Sequence, residues 1–156
     1  MFNLTIPGFG ALELEHLVLD YTGTLSFDGS LLPNVKERLN DLSKLLKIHV
    51  LTADTFGTAT DELSGISCEI RIISGGDLDV QKEAYVRSLG AEKVVAIGNG
   101  LNDRRMLKLA RLGIAVTGRE GCAVEALLAA DIQVMNIVDA LDLISNPKRL
   151  KATLTY

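Results

Sequence analysis

Leu17-Val18-Leu19-Asp20-Tyr21-Thr22-Gly23-Thr24-Leu25 sets an aliphatic run directly against an acid and a threonine–glycine turn. Consecutive aliphatic residues suit a strand buried on both faces, and the abrupt change at Asp20 marks where the chain leaves the sheet. Similar runs recur at Ile48 to Leu51, Ile70 to Ile73, Val94 to Ile97, Ile114 to Val116 and Ile132 to Met135. Between the first two, Val35, Leu39, Leu42 and Leu46 fall on one helical face behind Pro33, which predicts a helix from Pro33 to Leu46. Helices are also predicted at Thr55 to Leu63, Val80 to Leu89 and Asp103 to Leu112, closed by Gly65, Gly90 and Gly113, and again at Cys122 to Ala129 and Ile137 to Ile144. Alternating strands and helices define the α/β class, here a three-layer, doubly wound parallel sheet.

Upstream, Leu4-Thr5-Ile6 and Ala11-Leu12-Glu13-Leu14-Glu15 alternate in polarity around Pro7-Gly8-Phe9-Gly10, the pattern of a β-hairpin added to the core. The organisation expected is a single domain: a hairpin extension over 1–15, a core over 16–147, and a solvated tail over 148–156. The chain has 156 residues, 47% hydrophobic and 23% charged, with a net charge of −4, so it offers no electrostatic footprint for nucleic acid or an anionic membrane. No apolar run approaches the roughly 18 to 20 residues that span a bilayer, and no secretion signal precedes the hairpin, so the expected location is the cytoplasm. Cys68 and Cys122 then read as reduced thiols without metal-ligand spacing.

In an open parallel sheet, ligands gather beyond the carboxyl ends of the strands. Those ends carry Asp20-Tyr21-Thr22-Gly23-Thr24, Thr52-Ala53-Asp54 and Gly98-Asn99-Gly100-Leu101-Asn102-Asp103, with Lys82 opening a helix between the last two. An acid leaving a buried strand into a glycine turn presents a rigid carboxylate among backbone amides suited to phosphate oxygens. Asp103 and Asn99 add oxygen ligands able to hold Mg2+ beside Asp20. Thr52 offers a hydroxyl to the same phosphate, and Lys82 a positive charge for a phosphoryl group.

These pieces, in this order, resemble the haloacid dehalogenase superfamily of phosphotransferases, a capless Rossmann-like α/β fold here, and most of all the phosphorylation domain of P-type ATPases. Asp20 to Leu25 is similar to Asp-Lys-Thr-Gly-Thr-Leu, in which the Asp is phosphorylated, and Leu51-Thr52-Ala53-Asp54 to Leu-Thr-Gly-Asp. Ile97 to Asp103 resembles the Gly-Asp-Gly-x-Asn-Asp loop, and Gly113-Ile114-Ala115 with Ala129 to Ile132 the stretches that follow it. The resemblance implies that Asp20 attacks phosphorus to form an aspartyl-phosphate that water then hydrolyses. It implies Asp20, the Thr22 carbonyl, Asn99 and Asp103 as Mg2+ ligands. Thr52, Ala53, Lys82 and the amides from Tyr21 to Gly23 would hold the phosphate, with Thr22, Thr52 and Lys82 supporting catalysis.

The departures are informative. The stretch between Asp20 and Thr52 has no room for the ATPases' inserted nucleotide domain, so an ion pump is excluded and the site should lie open. Superfamily phosphatases carry a second Asp two places after the nucleophile, where this chain has Thr22; losing that acid and base, usually worth about 10² to 10⁴ in rate, predicts slow turnover unless Asp28 or Asp54 substitutes. Asn99 stands where the ATPase loop has a metal-binding Asp, which predicts weaker Mg2+ binding. The expected partner is a phosphorylated small molecule or macromolecule, and an open site invites cover by a neighbouring subunit through the hairpin. His16 and His49 read as packing residues, Arg104 and Arg105 as surface charges, and Asp131 as a strand-entry residue. Two functions remain open: a slow Mg2+-dependent phosphohydrolase, and a phosphate-binding or phospho-Asp20 regulatory module with little turnover.

Overall fold

The computed structural model describes residues 1–53 and 57–156. Asp54 and the start of the helix expected at Thr55 lie outside the described residues. The strands are β1 (Phe2–Ile6), β2 (Gly10–Leu14), β3 (His16–Asp20), β4 (Ser26–Phe27), β5 (Ser30–Leu31), β6 (Lys47–Thr52), β7 (Glu69–Ile72), β8 (Val94–Gly98), β9 (Leu112–Val116) and β10 (Ile132–Val134). The helices are α1 (Val35–Leu42), α2 (Thr58–Glu62), α3 (Leu78–Leu89), α4 (Arg104–Leu109), α5 (Val124–Ala129), α6 (Ile137–Ser145) and α7 (Pro147–Leu154).

Six strands form one parallel sheet in the order β10-β9-β8-β3-β6-β7. The chain starts at β3, fills one side through β6 and β7, then returns to pair β8 with the other edge of β3. The direction of winding therefore reverses between β3 and β8, and a crevice opens beyond their carboxyl ends. Side chains alternate across the sheet. Leu17 and Leu19 join a core with α1 and α6, whereas Val18 joins a second core with α3, α4 and α5. Asp20, two residues beyond Val18, thus leaves the sheet on the α3 side.

Several expectations shift at their edges. Helix α1 ends at Leu42 rather than Leu46, because Lys44 and Leu45 donate to the carbonyls of Asp41 and Leu42 in tighter turns, while Leu46 stays buried. Gly113 does not stop α4; it is the second residue of β9, where a Cβ would collide with the Leu107 carbonyl, so its glycine serves close helix–strand packing. Strand β7 is largely exposed at the edge of the sheet rather than covered on both faces. The β4–β5 hairpin was not expected, although its turn, Asp28 at φ 51° and Gly29 at φ 85°, is the Asp-Gly pair that tight hairpins favour.

The N-terminal hairpin forms with Phe2 opposite Leu14 and Ile6 opposite Gly10. It lies at the amino ends of the core strands, where the amide of Glu15 donates to the Lys93 carbonyl and that of Lys47 to the Glu15 carbonyl. Arg111 straps it down, donating to the carbonyls of Phe9 and Ala11 with its guanidinium 4.6 Å from the Phe9 ring centre. It therefore sits at the opposite end of the sheet from Asp20, and nothing in its placement supports the expected role in covering the site. The tail is not a solvated terminus either. It folds as α7, buries Leu150 beside the hairpin, and ends with the Tyr156 amide donating to the Pro7 carbonyl. Among the described residues no helix is long and apolar enough to cross a membrane.

Leu150 is fully buried, so Leu150→Ala should lower unfolding free energy by about 2 to 5 kcal/mol, the range for buried leucine truncations. A urea titration giving a loss below about 1 kcal/mol would return residues 148–156 to the status of a loose tail.

Candidate active site

Strand β3 delivers Asp20 to the crevice and α3 brings Lys82 to meet it. Both are buried, and Lys82 Nζ lies 2.8 Å from Asp20 Oδ1. The same ammonium lies 2.7 Å from Asp103 Oδ1 and 2.8 Å from Asn102 Oδ1. An ammonium has three protons, and here each has an oxygen to take it. The turn after β8 supplies those last two residues: Asp103 Oδ2 accepts from the amides of Asn99 (3.0 Å) and Gly100 (2.9 Å), closing Gly98 to Asp103 into one turn. A Cβ on Gly98 would fall 2.6 Å from the Asp103 carboxyl carbon, so this turn has no room for a side chain there.

On the other side of Asp20, the Thr24 hydroxyl lies 3.0 Å from Asp20 Oδ2 and 3.1 Å from Asn99 Oδ1. One hydroxyl proton serves two oxygens, and Asn99 Nδ2 donates to the Gly121 carbonyl, which fixes its amide oxygen toward the Thr24 hydroxyl. Gly23 permits this approach twice over: its φ is 78°, and a Cβ would meet Asn99 Nδ2 at 2.6 Å. Burial pushes the Asp20 carboxyl up to about 7, reinforced by Asp103 and opposed by Lys82 and Thr24. Desolvation works against the Lys82 ammonium, but Asp20 and Asp103 outweigh it and hold its pKa above the usual lysine value.

The structure brings Asp20, Lys82, Asn99 and Asp103 together, and adds Thr24 and Asn102, which the sequence reading quoted within its motifs without giving them a role. Thr52 is buried at the end of β6, the strand paired with β3. Thr22 and Ala53 are exposed and line a hollow of about 460 Å3 with Tyr21, Asp28, Gly29 and Thr58. Tyr21 departs from the expected phosphate cradle. Its amide donates to the Leu51 carbonyl (3.3 Å), and its ring turns into the α1–α6 core, with its hydroxyl donating to the Gly29 carbonyl (2.8 Å). Asp103, expected among the metal ligands, is fully buried, and its oxygens accept from Lys82 and from the amides of Asn99 and Gly100.

For Mg2+, the Asp20 carboxylate and the Asn99 amide oxygen, joined by Thr24, offer oxygen donors, with the Thr22 backbone carbonyl on the same loop. An all-oxygen set of this kind fits a hard dication. Among the described residues no three His, Cys, Asp or Glu side chains converge, so an ion would rest on at most two carboxylates.

The remaining expectations concern surface and packing residues. Arg104 pairs with Asp79 and Glu125, and Arg105 with Asp79, which leaves both on the surface. His16 and His49 share a hydrogen bond of 3.1 Å, and His49 also meets the Tyr85 hydroxyl at 2.8 Å. Burial lowers His49 to about 4, so it packs as a neutral ring. Asp131 accepts from the Gly113 amide at the entry to β10.

A family model described as haloacid dehalogenase-like hydrolase matches residues 80–125, the stretch from α3 through the turn after β8 to the start of α5. An uncharacterised protein of Methanocaldococcus jannaschii is 55% identical over 62 residues, covering 40% of this chain and 67% of that protein. A probable copper-exporting P-type ATPase of Archaeoglobus fulgidus is 30% identical over 106 residues, 67% of this chain; the chain spans only 13% of the ATPase. Among solved structures, the 3-deoxy-D-manno-octulosonate 8-phosphate phosphatase of Moraxella catarrhalis, in complex with magnesium and phosphate ions, has the same fold at a TM-score of 0.67 and 18% identity, over 92% of this chain and 94% of that one. Residues 80–125, which include Lys82 and Asp103, thus match the haloacid dehalogenase-like hydrolase model, the chain is similar over two thirds of its length to a P-type ATPase, and it has the fold of this phosphatase.

Proposed function

We propose that this protein is a Mg2+-dependent phosphohydrolase that works through an aspartyl-phosphate on Asp20. The observation that carries the reading is the buried contact of Asp20 with Lys82 on one oxygen and Thr24 on the other, at the switch point of a parallel sheet. A carboxylate held this way is fixed in direction, which favours in-line attack by removing the need to orient it. A carboxylate oxygen of Asp20 bonds to phosphorus as the bond to the leaving oxygen breaks. Lys82 then turns one N–H from Asp20 to a phosphoryl oxygen, while Asp103 and Asn102 keep it in place. Thr52, Ala53 and the Gly23 amide border the same crevice and are the groups proposed to hold the phosphoryl oxygens.

Asp20, the Thr22 carbonyl and Asn99 would hold Mg2+, which when bound offsets negative charge between the carboxylate and the phosphoryl group. Asp103 acts as a positioning residue, holding Lys82 and the Asn99 turn. The leaving oxygen needs a proton, and a water must later lose one as it attacks phosphorus and frees Asp20. Thr22 cannot do either, whereas Asp28 is the described carboxylate that shares the hollow with Thr22 and Ala53, and it is proposed for both. The substrate is a phosphorylated small molecule. A second reading, a phospho-Asp20 module with little turnover, draws its support from Thr22 itself, since an aspartyl-phosphate without a strong base beside it hydrolyses slowly.

Phosphate release from p-nitrophenyl phosphate should require Mg2+ and vanish in Asp20→Asn. If wild type instead takes up a single equivalent of phosphate from acetyl phosphate and releases none, the regulatory module replaces the enzyme. Asn99→Asp adds a charged ligand and should lower the Mg2+ concentration for half-maximal activity by about tenfold, the effect of roughly 1.4 kcal/mol of added attraction; an unchanged titration would remove Asn99 from the metal set. In EDTA, the raised Asp20 pKa means that the folded chain keeps a proton which the unfolded chain releases between pH of about 4 and about 7. Stability should therefore fall across that window as pH rises, and the melting temperature of Asp20→Asn relative to wild type should climb with it. Parallel curves for the two proteins would mean that Asp20 folds fully ionised.

A further inference from the structure

The parallel sheet ends on one side at β7, whose outer edge pairs with no other strand among the described residues. The amide of Ile73 donates to the Thr52 carbonyl, so Ile73 turns its backbone toward β6. Main-chain groups alternate between the two sides of a strand, so Arg71 and Glu69 also bond inward, while the N–H and C=O groups of Ile70 and Ile72 face outward. Natural sheets guard such edges with proline, bulges or lysines. Residues 68–73, Cys-Glu-Ile-Arg-Ile-Ile, hold no proline, pair with β6 in unbroken register over 69–72, and carry two charges of opposite sign.

The two faces of β7 differ. Glu69 and Arg71 share the face toward α3, where Glu69 lies 3.5 Å from His49 Nδ1 and 3.8 Å from Lys47 Nζ, and Arg71 lies 5.3 Å from the centre of the Tyr85 ring. Among the described residues Arg71 has no acid at ion-pair distance. Cys68, Ile70 and Ile72 share the other face; the first two pack half-buried against the α1–α6 core, whereas Ile72 is 49% exposed.

We infer that β7 pairs antiparallel with β7 of a second copy of this chain, about a two-fold axis at Ile70, so that two sheets become one. With the axis there, Ile70 exchanges two main-chain hydrogen bonds with its counterpart, and Glu69 of each copy stands opposite Arg71 of the other. That opposition falls between main-chain bonds, where facing side chains come closest. An axis at Glu69 or Arg71 sets like charges face to face, and one at Ile72 leaves both charges unopposed, so charge selects the register. The two-fold makes every contact twice, as an isologous interface does. On the other face Ile72 lies beside Cys68 of the second copy, which takes the exposed isoleucine out of water. The pairing is independent of the chemistry at Asp20, whose strand is separated from β7 by β6.

Sedimentation equilibrium of the full chain tests it. Wild type should form a dimer that weakens as salt screens the ion pairs. Glu69→Arg and Arg71→Glu each turn two attractions into two repulsions and should each raise the dimer dissociation constant by about tenfold or more. Both side chains are exposed, so the variants keep the fold. The double variant restores complementarity with the signs exchanged and should dimerise within about threefold of wild type, a rescue that a merely structural effect would not give. Ile72→Lys should weaken the dimer through the other face. A wild type that stays monomeric up to about 1 mM, a dimer indifferent to the single substitutions, or a double variant no better than the singles overturns the assignment.

Discussion

A single buried ammonium holds the carboxyl end of this sheet together. Lys82 is 3% exposed, and a cation so far from water is tolerated only when its charge and all its protons are met. Asp20, Asp103 and Asn102 meet them from two separate pieces of chain, the end of β3 and the turn that follows β8, with the lysine itself from a third, α3. The contact is thus a tertiary clamp as well as a chemical one. It ties one helix layer to the two strands between which the winding reverses, and among the described residues Lys82 is the cation paired with both Asp20 and Asp103.

The fold was readable from the sequence where a strand is covered on both faces, because Leu17 to Leu19 and Val94 to Ile97 then carry no polar residue to confuse the period. It was less readable where one pattern admits two backbones. Leu46 keeps the helical phase of Val35, Leu39 and Leu42, and it is buried as that phase requires, yet just before it the amides of Lys44 and Leu45 have already changed to tighter turns. Residues 148–156 misled for a different reason. Lys148, Arg149 and Lys151 dominate the composition, but they leave Leu150 and Leu154 free to face inward, and a short amphipathic helix needs little more to dock. The β4 and β5 strands, two residues each, are too short for any period to register, so only the Asp28-Gly29 turn could have announced them.

At the site, residue types and their order were legible because chemistry collects at strand ends. Roles were less so, since spacing alone does not say which way a side chain or an amide turns. Tyr21 follows Asp20, so alternation sends its ring into the core opposite to the face that Asp20 and Lys82 share. Its amide is still inside the sheet pairing, bonded to Leu51. Asp103 and Asn99 looked interchangeable as oxygen donors, but Asp103 closes its own turn from within and Asn99 points across to Thr24. That difference depends on the three-residue helical turn Leu101–Asp103, which lifts Asp103 back over Gly98.

The same electrostatics explain why an amide at position 99 suits this chain. With Lys82 shared, Asp20 and Asp103 already leave the buried cluster with one negative charge in excess when both are ionised. Burial and the neighbouring Asp103 raise Asp20 far enough that the fold without metal carries it protonated over much of the acidic range. A carboxylate at 99 would add a second excess charge within the reach of the Thr24 hydroxyl, where among the described residues Lys82 is the cation paired with the cluster. Asn99 keeps the oxygen in the same place and leaves the charge out, so the site can assemble before any metal arrives. A cation that settled between Asp20 and Asn99 would favour the carboxylate form, so on the proposed reading the attacking group and its metal would be gained together.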